Sequence, residues 1–450
     1  MLSGLKSLSD WLANLIQLLR NGSDFKTWTR WGRVGERGQN AILGGGSLAD
    51  ALRNFEKKFK DKSGLMWTDR GEPPKAKKYA YVERSYNPDS EDEDDAEAST
   101  GADGNDGTDG VKKSAAESTL EVPVQNLMRL IFNQAYFDAT MTALNYDANK
   151  LPLGKLSKAT IARGFQALKD LSVILDNTDA ESNAEKTRLS DLYHSVIPHA
   201  FGRNRPPTIR DNDHLKREIE LLESLSDMKD AAAILKSTLK EKSDVHQLDR
   251  QFQGLNMNEM SPLEPASREF SELSDYLNNS KGATHHMSYK VEDIFRIERQ
   301  GELERFEKSE YSKVSRNRRL LWHGSRVTNF GGILGQGLRI APPEAPVSGY
   351  MFGKGIYLAD MSSKSAGYCS ASSSDNTALL LLCEAELGNP MYELTNASYN
   401  AGDEAKAKGL CSTWGKGRVG PSKWKDAKCV NKALAGCMMV SAYCLSPAQF

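Results

Sequence analysis

The chain has 450 residues, a formal net charge of −1 at pH 7, 39% hydrophobic and 26% charged residues. That is too long for one ordinary core and typical of globular proteins, so about three domains are expected and a fibrous or wholly disordered chain is excluded. The near-zero charge points to no partner by itself, but it hides a sharp imbalance along the chain.

Residues 1–88 carry sixteen Lys/Arg against nine Asp/Glu, and residues 89–110 carry ten acidic residues and no basic one. A basic block beside an acidic tract suits nucleic-acid contact, with the acidic piece as solvated spacer. Within residues 15–86, "DFKTWTRWGRVG" and "KKYAYVERSY" read as strands. Alternation along the first places Trp28, Arg30 and Gly32 on one face and Thr29, Trp31 and Arg33 on the other. A tryptophan beside an arginine can stack on a base or sugar and fork onto phosphate, or it can be a core residue with a solvated neighbour. Spacing alone leaves both open. Residues 1–14 match no pattern, although "LIQLLRNGSDFKTW" is strand-like.

Residues 87–117 have almost nothing apolar and are expected to be a disordered acidic linker, serving as spacer or as a modification target. Residues 118–243 read as helical throughout. Ser118 and Glu121 form a capping-box pattern ahead of one long helix, "VPVQNLMRLIFNQAYFDATMTAL", with Leu127, Leu130, Ile131, Ala135 and Met141 at helical spacing. A second helix is read from "SKATIARGFQALKDLSVIL", and a third carries Leu215, Ile219, Leu222, Leu225 and Met228 on one stripe. These stripes predict a bundle core. From residue 244 short β-rich pieces ("RRLLWH", "GIYLAD", "ALLLLCEAEL") alternate with glycine and serine loops, the texture of an α+β domain with a cleft.

All six cysteines fall between Cys369 and Cys444 without a C-x-x-C pair, so neither a metal nor a disulfide framework is expected. No run reaches the length of a membrane span, and the apolar opening contains Asp10 and lacks a cleavage-like site. A nuclear or cytoplasmic protein with no membrane contact is the expectation. His323, in "LLWHGSR", is either a satisfied structural histidine or the floor of a sugar-binding pocket.

Three segments carry a family resemblance. "RWGRVGERGQ" resembles the signature of the WGR domain, a β-rich module of DNA-dependent poly(ADP-ribose) polymerases. The resemblance implies that Trp31 and Arg33 contact DNA backbone near a break, positioning the protein without reading bases. "KLPLGKLSKATIARGFQAL" (150–168) resembles the regulatory helical domain of the same family, which implies an autoinhibitory bundle. Residues 319–368, "RLLWHGSRVTNFGGILGQGLRIAPPEAPVSGYMFGKGIYLADMSSKSAGY", are similar to the catalytic core.

That likeness implies an NAD⁺ pocket, with NAD⁺ as substrate and no metal. His323 would bond the ribose hydroxyl and Gly324 would offer its backbone to the carboxamide. Ser365 would add a hydroxyl, Tyr357 and Tyr368 would sandwich the ring, and Ser325, Gly332 and Arg339 would line the ribose and adenosine part. His323 and Tyr357 would be two of a catalytic triad whose third member is a glutamate. No glutamate follows Glu404, and Asp426 falls in a loop segment.

The expected architecture is therefore a multidomain α+β chain: a WGR module over 15–86, a linker over 87–117, a regulatory bundle over 118–243, an incomplete ADP-ribosyltransferase domain over 244–439, and an aberrant tail over 440–450. Val440-Ser441 could be encoded by GTAAGT, which reads as intron read-through, and the expected loss of central strands would leave sheet edges unpaired. The implied function is a nuclear, DNA-break-activated transfer of ADP-ribose from NAD⁺ to acceptor proteins, itself included, in DNA repair. The alternatives are a DNA-end-binding remnant without turnover and a product unfolded beyond the bundle.

Overall fold

A computed structural model describes residues 2–7, 10–21, 24–33, 39–72, 75, 78–81, 117–202, 204, 206–240, 244–282, 285, 287–417 and 419–445. Apart from Glu117, the expected acidic linker lies outside them.

The N-terminal module is an antiparallel sheet of β1 (Leu2–Ser7), β2 (Asp10–Asn21), β3 (Asp24–Arg33), β4 (Gln39–Gly46) and β5 (Ala80–Tyr81), in the order β4-β3-β2-β1-β5. Helix α1 (Leu48–Ser63) starts at Ser47, whose hydroxyl accepts from the Asp50 amide, and stops at Gly64, whose φ of 77° suits only glycine comfortably. It lies on the Thr27/Thr29 face of β3, with the Thr27 hydroxyl donating to the Ala51 carbonyl at 2.6 Å.

The helical block comprises α2 (Val122–Ile131), α3 (Gln134–Ala143), α4 (Lys158–Ile174), α5 (Ala180–Val196), the 29-residue α6 (Asn212–Lys240) and α7 (Gln247–Gly254). The single helix expected over the first segment is broken. Asn133 caps α3 by accepting from the Ala135 amide, so the register resets and Ala135 turns outward while Leu127 and Ile131 stay buried. The expected capping box does not form either, since Glu121 is the cap residue of α2 and makes no side-chain cap bond. Ser118 instead donates to Asp249 on α7 at 2.5 Å, and Thr119 adds its amide (2.9 Å) and hydroxyl (3.2 Å) to the same carboxylate. Helix α7, placed after the expected boundary at 244, thus fastens the start of the bundle. The stripe Leu215, Ile219, Leu222, Leu225 and Met228 is wholly buried, as its period requires.

Where α5 turns into α6, His199 sits with Nδ1 2.8 Å from the Ile197 carbonyl and Nε2 2.9 Å from Glu218, which also accepts from Tyr193 at 2.8 Å. Burial alone would raise the Glu218 carboxyl, but the hydrogen bonds from His199 and His214 hold it well below its usual range. The base of α6 is pinned there by a buried polar knot.

The remaining described residues form β6 (Met257–Pro262), α8 (Arg268–Asn279), β7 (Phe295–Arg299), α9 (Glu302–Lys308), β8 (Arg318–Ser325), α10 (Phe330–Gln336), α11 (Ser362–Ala366), β9 (Leu379–Glu386), β10 (Tyr392–Leu394), α12 (Ala401–Ala407), β11 (Thr413–Gly415), β12 (Val419–Asp426) and β13 (Met438–Leu445). The main sheet has the order β12-β13-β8-β9, antiparallel except where β13 meets β8. "GIYLAD" is not a strand; its Ala359 makes a single bridge to Trp322. The boundary expected at 440 falls inside β13, because Met439 and Val440 are apolar and buried against Trp322 and Tyr276. One continuous apolar core joins α6 to Val327, Phe330, Ile333 and Leu334, so the bundle packs directly on the segment that follows β8.

Candidate active site

Strand β8 ends at His323, Gly324 and Ser325. The amide and carbonyl of Trp322 exchange hydrogen bonds with Ala359 at 2.7 and 2.8 Å, which draws segment 356–360 against the strand. That places the Tyr357 carbonyl 2.9 Å from His323 Nδ1. A carbonyl only accepts, so Nδ1 carries the proton and Nε2 presents a lone pair. Burial pushes the His323 pKa down, and the Tyr357 hydrogen bond offsets only part of it. The result is a neutral imidazole able to accept from a hydroxyl.

Beside it, a Cβ on Gly324 would lie 1.9 Å from the Ser365 carbonyl oxygen, so no other residue fits. Ser365 is buried on α11, and its hydroxyl donates to the Trp322 carbonyl at 2.9 Å. Its oxygen is left as an acceptor, which suits an amide N–H. Tyr357 is fixed through its hydroxyl, which donates to the Gly353 carbonyl (2.7 Å) and accepts from the Phe352 amide (3.0 Å). Tyr357 and Tyr368 are 42% and 55% exposed, leaving ring surface available on the segments flanking α11. Ser325 accepts from Asn329 at 3.0 Å.

Two residues expected to line the ribose and adenosine part, Gly332 and Arg339, face α6. A Cβ on Gly332 would meet the Asp227 carbonyl oxygen at 2.7 Å, so α10 and α6 touch backbone to backbone. Arg339 is gripped by Asp227 (2.5 Å) and Asp230 (2.8 Å). Tyr350 donates to Glu223 at 2.6 Å. Burial works against the Arg339 charge, and the two aspartates more than offset it. Burial also outweighs the pairing for the carboxylates, pushing Glu223 up to about 7 and Asp227 to about 6.

Sequence reasoning missed this acidic face and Tyr350. The available signal was a second stripe on α6, Glu220, Glu223, Asp227 and Asp230, at helical spacing beside the apolar one.

At the other end of the chain, Trp31 is 38% exposed and donates from Nε1 to Gln39 at 3.1 Å. The Arg33 side chain lies outside the described residues. Among the described residues no group of three or more His, Cys, Asp or Glu is arranged to hold a metal ion, and no helix is long and apolar enough to cross a membrane.

Three family models match in succession: the WGR domain over residues 15–74, the poly(ADP-ribose) polymerase regulatory domain over 118–252, and the poly(ADP-ribose) polymerase catalytic domain over 267–439. The chain is 40% identical to poly [ADP-ribose] polymerase 2 of Zea mays over 402 residues, covering 88% of this chain and 58% of that protein. It is 40% identical to poly [ADP-ribose] polymerase 2 of Homo sapiens over 413 residues, 91% of this chain and 67% of that one. Against poly [ADP-ribose] polymerase of Drosophila melanogaster identity is 37% over 420 residues, 91% and 39%. The chain thus spans about three fifths of the plant relatives. With all three modules in sequence and this identity along nine tenths of its length, the chain belongs to the poly(ADP-ribose) polymerase family.

Proposed function

We propose that the chain binds NAD⁺ at the end of β8 and serves protein ADP-ribosylation triggered by DNA breaks in the nucleus. One observation carries this reading: a neutral His323 with Nε2 free to accept stands beside Gly324, where no side chain can shield the backbone from a carboxamide. Transfer of ADP-ribose breaks the bond between ribose C1′ and the nicotinamide nitrogen, the electron pair leaving with nicotinamide. An acceptor oxygen then bonds to C1′ and releases its proton to a base. His323 would fix the ribose by accepting from a hydroxyl. Gly324 and Ser365 would hold the carboxamide, Tyr357 and Tyr368 would cover the ring, and Ser325 would border the ribose. Such placement gains its effect by pre-orienting the reacting atoms.

In this reading α6 is a latch. Asp227 and Asp230 occupy Arg339, the cation on the adenosine side, and Glu223 occupies Tyr350. Trp31 and Arg33 would meet broken DNA ends, and the signal would lift α6. The acceptors would be other proteins and the chain itself.

The test uses the 450-residue chain, labelled NAD⁺ and 5′-phosphorylated nicked DNA. Label transferred to protein only with DNA, and lost in His323→Ala, is the expected result. Absence of label with DNA binding intact would replace this reading with that of a DNA-end-binding protein without turnover.

A further inference from the structure

The helical block touches the pocket at a second place. Tyr136, near the start of α3, donates from its hydroxyl to Asp375 Oδ2 at 2.8 Å. Asp375 belongs to the turn after Tyr368, where Ser370, Asp375 and Asn376 have φ of 46°, 52° and 59°. Asp and Asn adopt this region readily, whereas at Ser370 it costs about 1–2 kcal/mol and persists only where neighbours hold it.

Part of that hold is internal. Ser374 donates to the Thr377 carbonyl at 2.8 Å, and the Asn376 amide donates to the Ala371 carbonyl at 2.9 Å. The turn is joined to the pocket by Cys369, which is fully buried and whose Sγ would stand 3.1 Å from a Cβ on Gly324. Tyr368 immediately precedes it. A pull on Asp375 is therefore a pull on the segment that carries the exposed ring.

We propose that Tyr136 is a positioning residue for the nicotinamide side of the pocket, holding Tyr368 in place through Asp375 and the strained turn. The proposal rests on the reading of the β8 end as an NAD⁺ site. It gives the helical block two grips with different chemistry: α6 withholds Arg339 on the adenosine side, whereas α3 braces the ring-binding side. Releasing the first frees a subsite; releasing the second loosens one.

The experiment compares wild type, Tyr136→Phe and Asp375→Asn of the whole chain. Amide hydrogen exchange is followed over residues 368–377, and binding of benzamide and of ADP-ribose is measured by calorimetry. Tyr136→Phe removes only the donor. It is expected to speed exchange in the turn and weaken benzamide about three- to tenfold, with ADP-ribose affinity unchanged. Asp375→Asn keeps an acceptor and tolerates the left-handed conformation, so it is expected to stay within about twofold of wild type. Unchanged exchange, or equal weakening of both ligands, would overturn the proposal. A wild-type chain that takes up no benzamide would instead overturn the NAD⁺ reading, and the proposal with it.

Discussion

Replacing Gly332 with alanine is the sharpest test of where α6 sits. The new Cβ would lie 2.7 Å from the Asp227 carbonyl oxygen and 3.0 Å from its Cα, both backbone atoms that cannot swing aside. Neighbouring Gly331 already faces Ala231, with only 2.6 Å available to a Cβ, so α10 has no slack along this seam. The helices must separate by several tenths of an ångström, and such overpacking costs about 1–3 kcal/mol. Because the clash exists only while α6 is seated, the cost falls on the closed arrangement, which shifts the balance toward the open one by roughly 5–150-fold. Calorimetry with ADP-ribose reads this directly, since opening frees Arg339. Affinity is expected to rise, and exchange of α6 amides to quicken. If Gly332→Ala instead weakens ADP-ribose, Gly332 lines the substrate and its role as a seat for α6 is wrong.

Three other outcomes follow from the same geometry. Gly324→Ala has only 1.9 Å to the Ser365 carbonyl oxygen; benzamide binding is expected to vanish and the chain to lose roughly 2–4 kcal/mol in a denaturant melt. The folded pKa values of Glu223 (about 7, from 4.5) and Asp227 (about 6, from 3.8) lie above their usual ones, so the closed state binds the extra protons. Its stability is then fully present below about pH 4 and declines as pH rises to about 7, so α6 amide exchange, corrected for intrinsic rates, should quicken between about pH 4 and 7. Glu223→Gln should flatten that profile. Asp249→Ala leaves Ser118 and Thr119 without their shared acceptor; a loss of about 1–3 kcal/mol is expected, with exchange quickened first over residues 118–122.

Periodicity made the bundle core legible, because a buried stripe must recur every three or four residues, and the stripe on α6 does. The same rule failed over 122–143. Asn133 offers its side chain to the backbone and restarts the helix, a local competition that apolar spacing does not register. Ser118 looked like a cap because its partner, Asp249, is 131 residues away in sequence. The candidate site residues His323, Gly324 and Ser365 lie in one motif, yet their closeness depends on the exchange between Trp322 of β8 and the bridge residue Ala359. What covers Arg339 was least visible: an acidic stripe on a helix reads as a solvated face until another domain is packed against it.

The length of α6 has a mechanical consequence. At about 1.5 Å of rise per residue its 29 residues make a rod of about 43 Å, and Asp230 stands about 18 Å along it from Glu218, where the histidine knot holds the base. A tilt of about 6° about that pinned end would carry Asp230 nearly 2 Å. The contact of 2.8 Å with Arg339 would then exceed hydrogen-bond range, with no turn of the helix unwound. If α6 is the proposed latch, the buried histidine knot would be its fulcrum, and a signal would need to supply only a small angle.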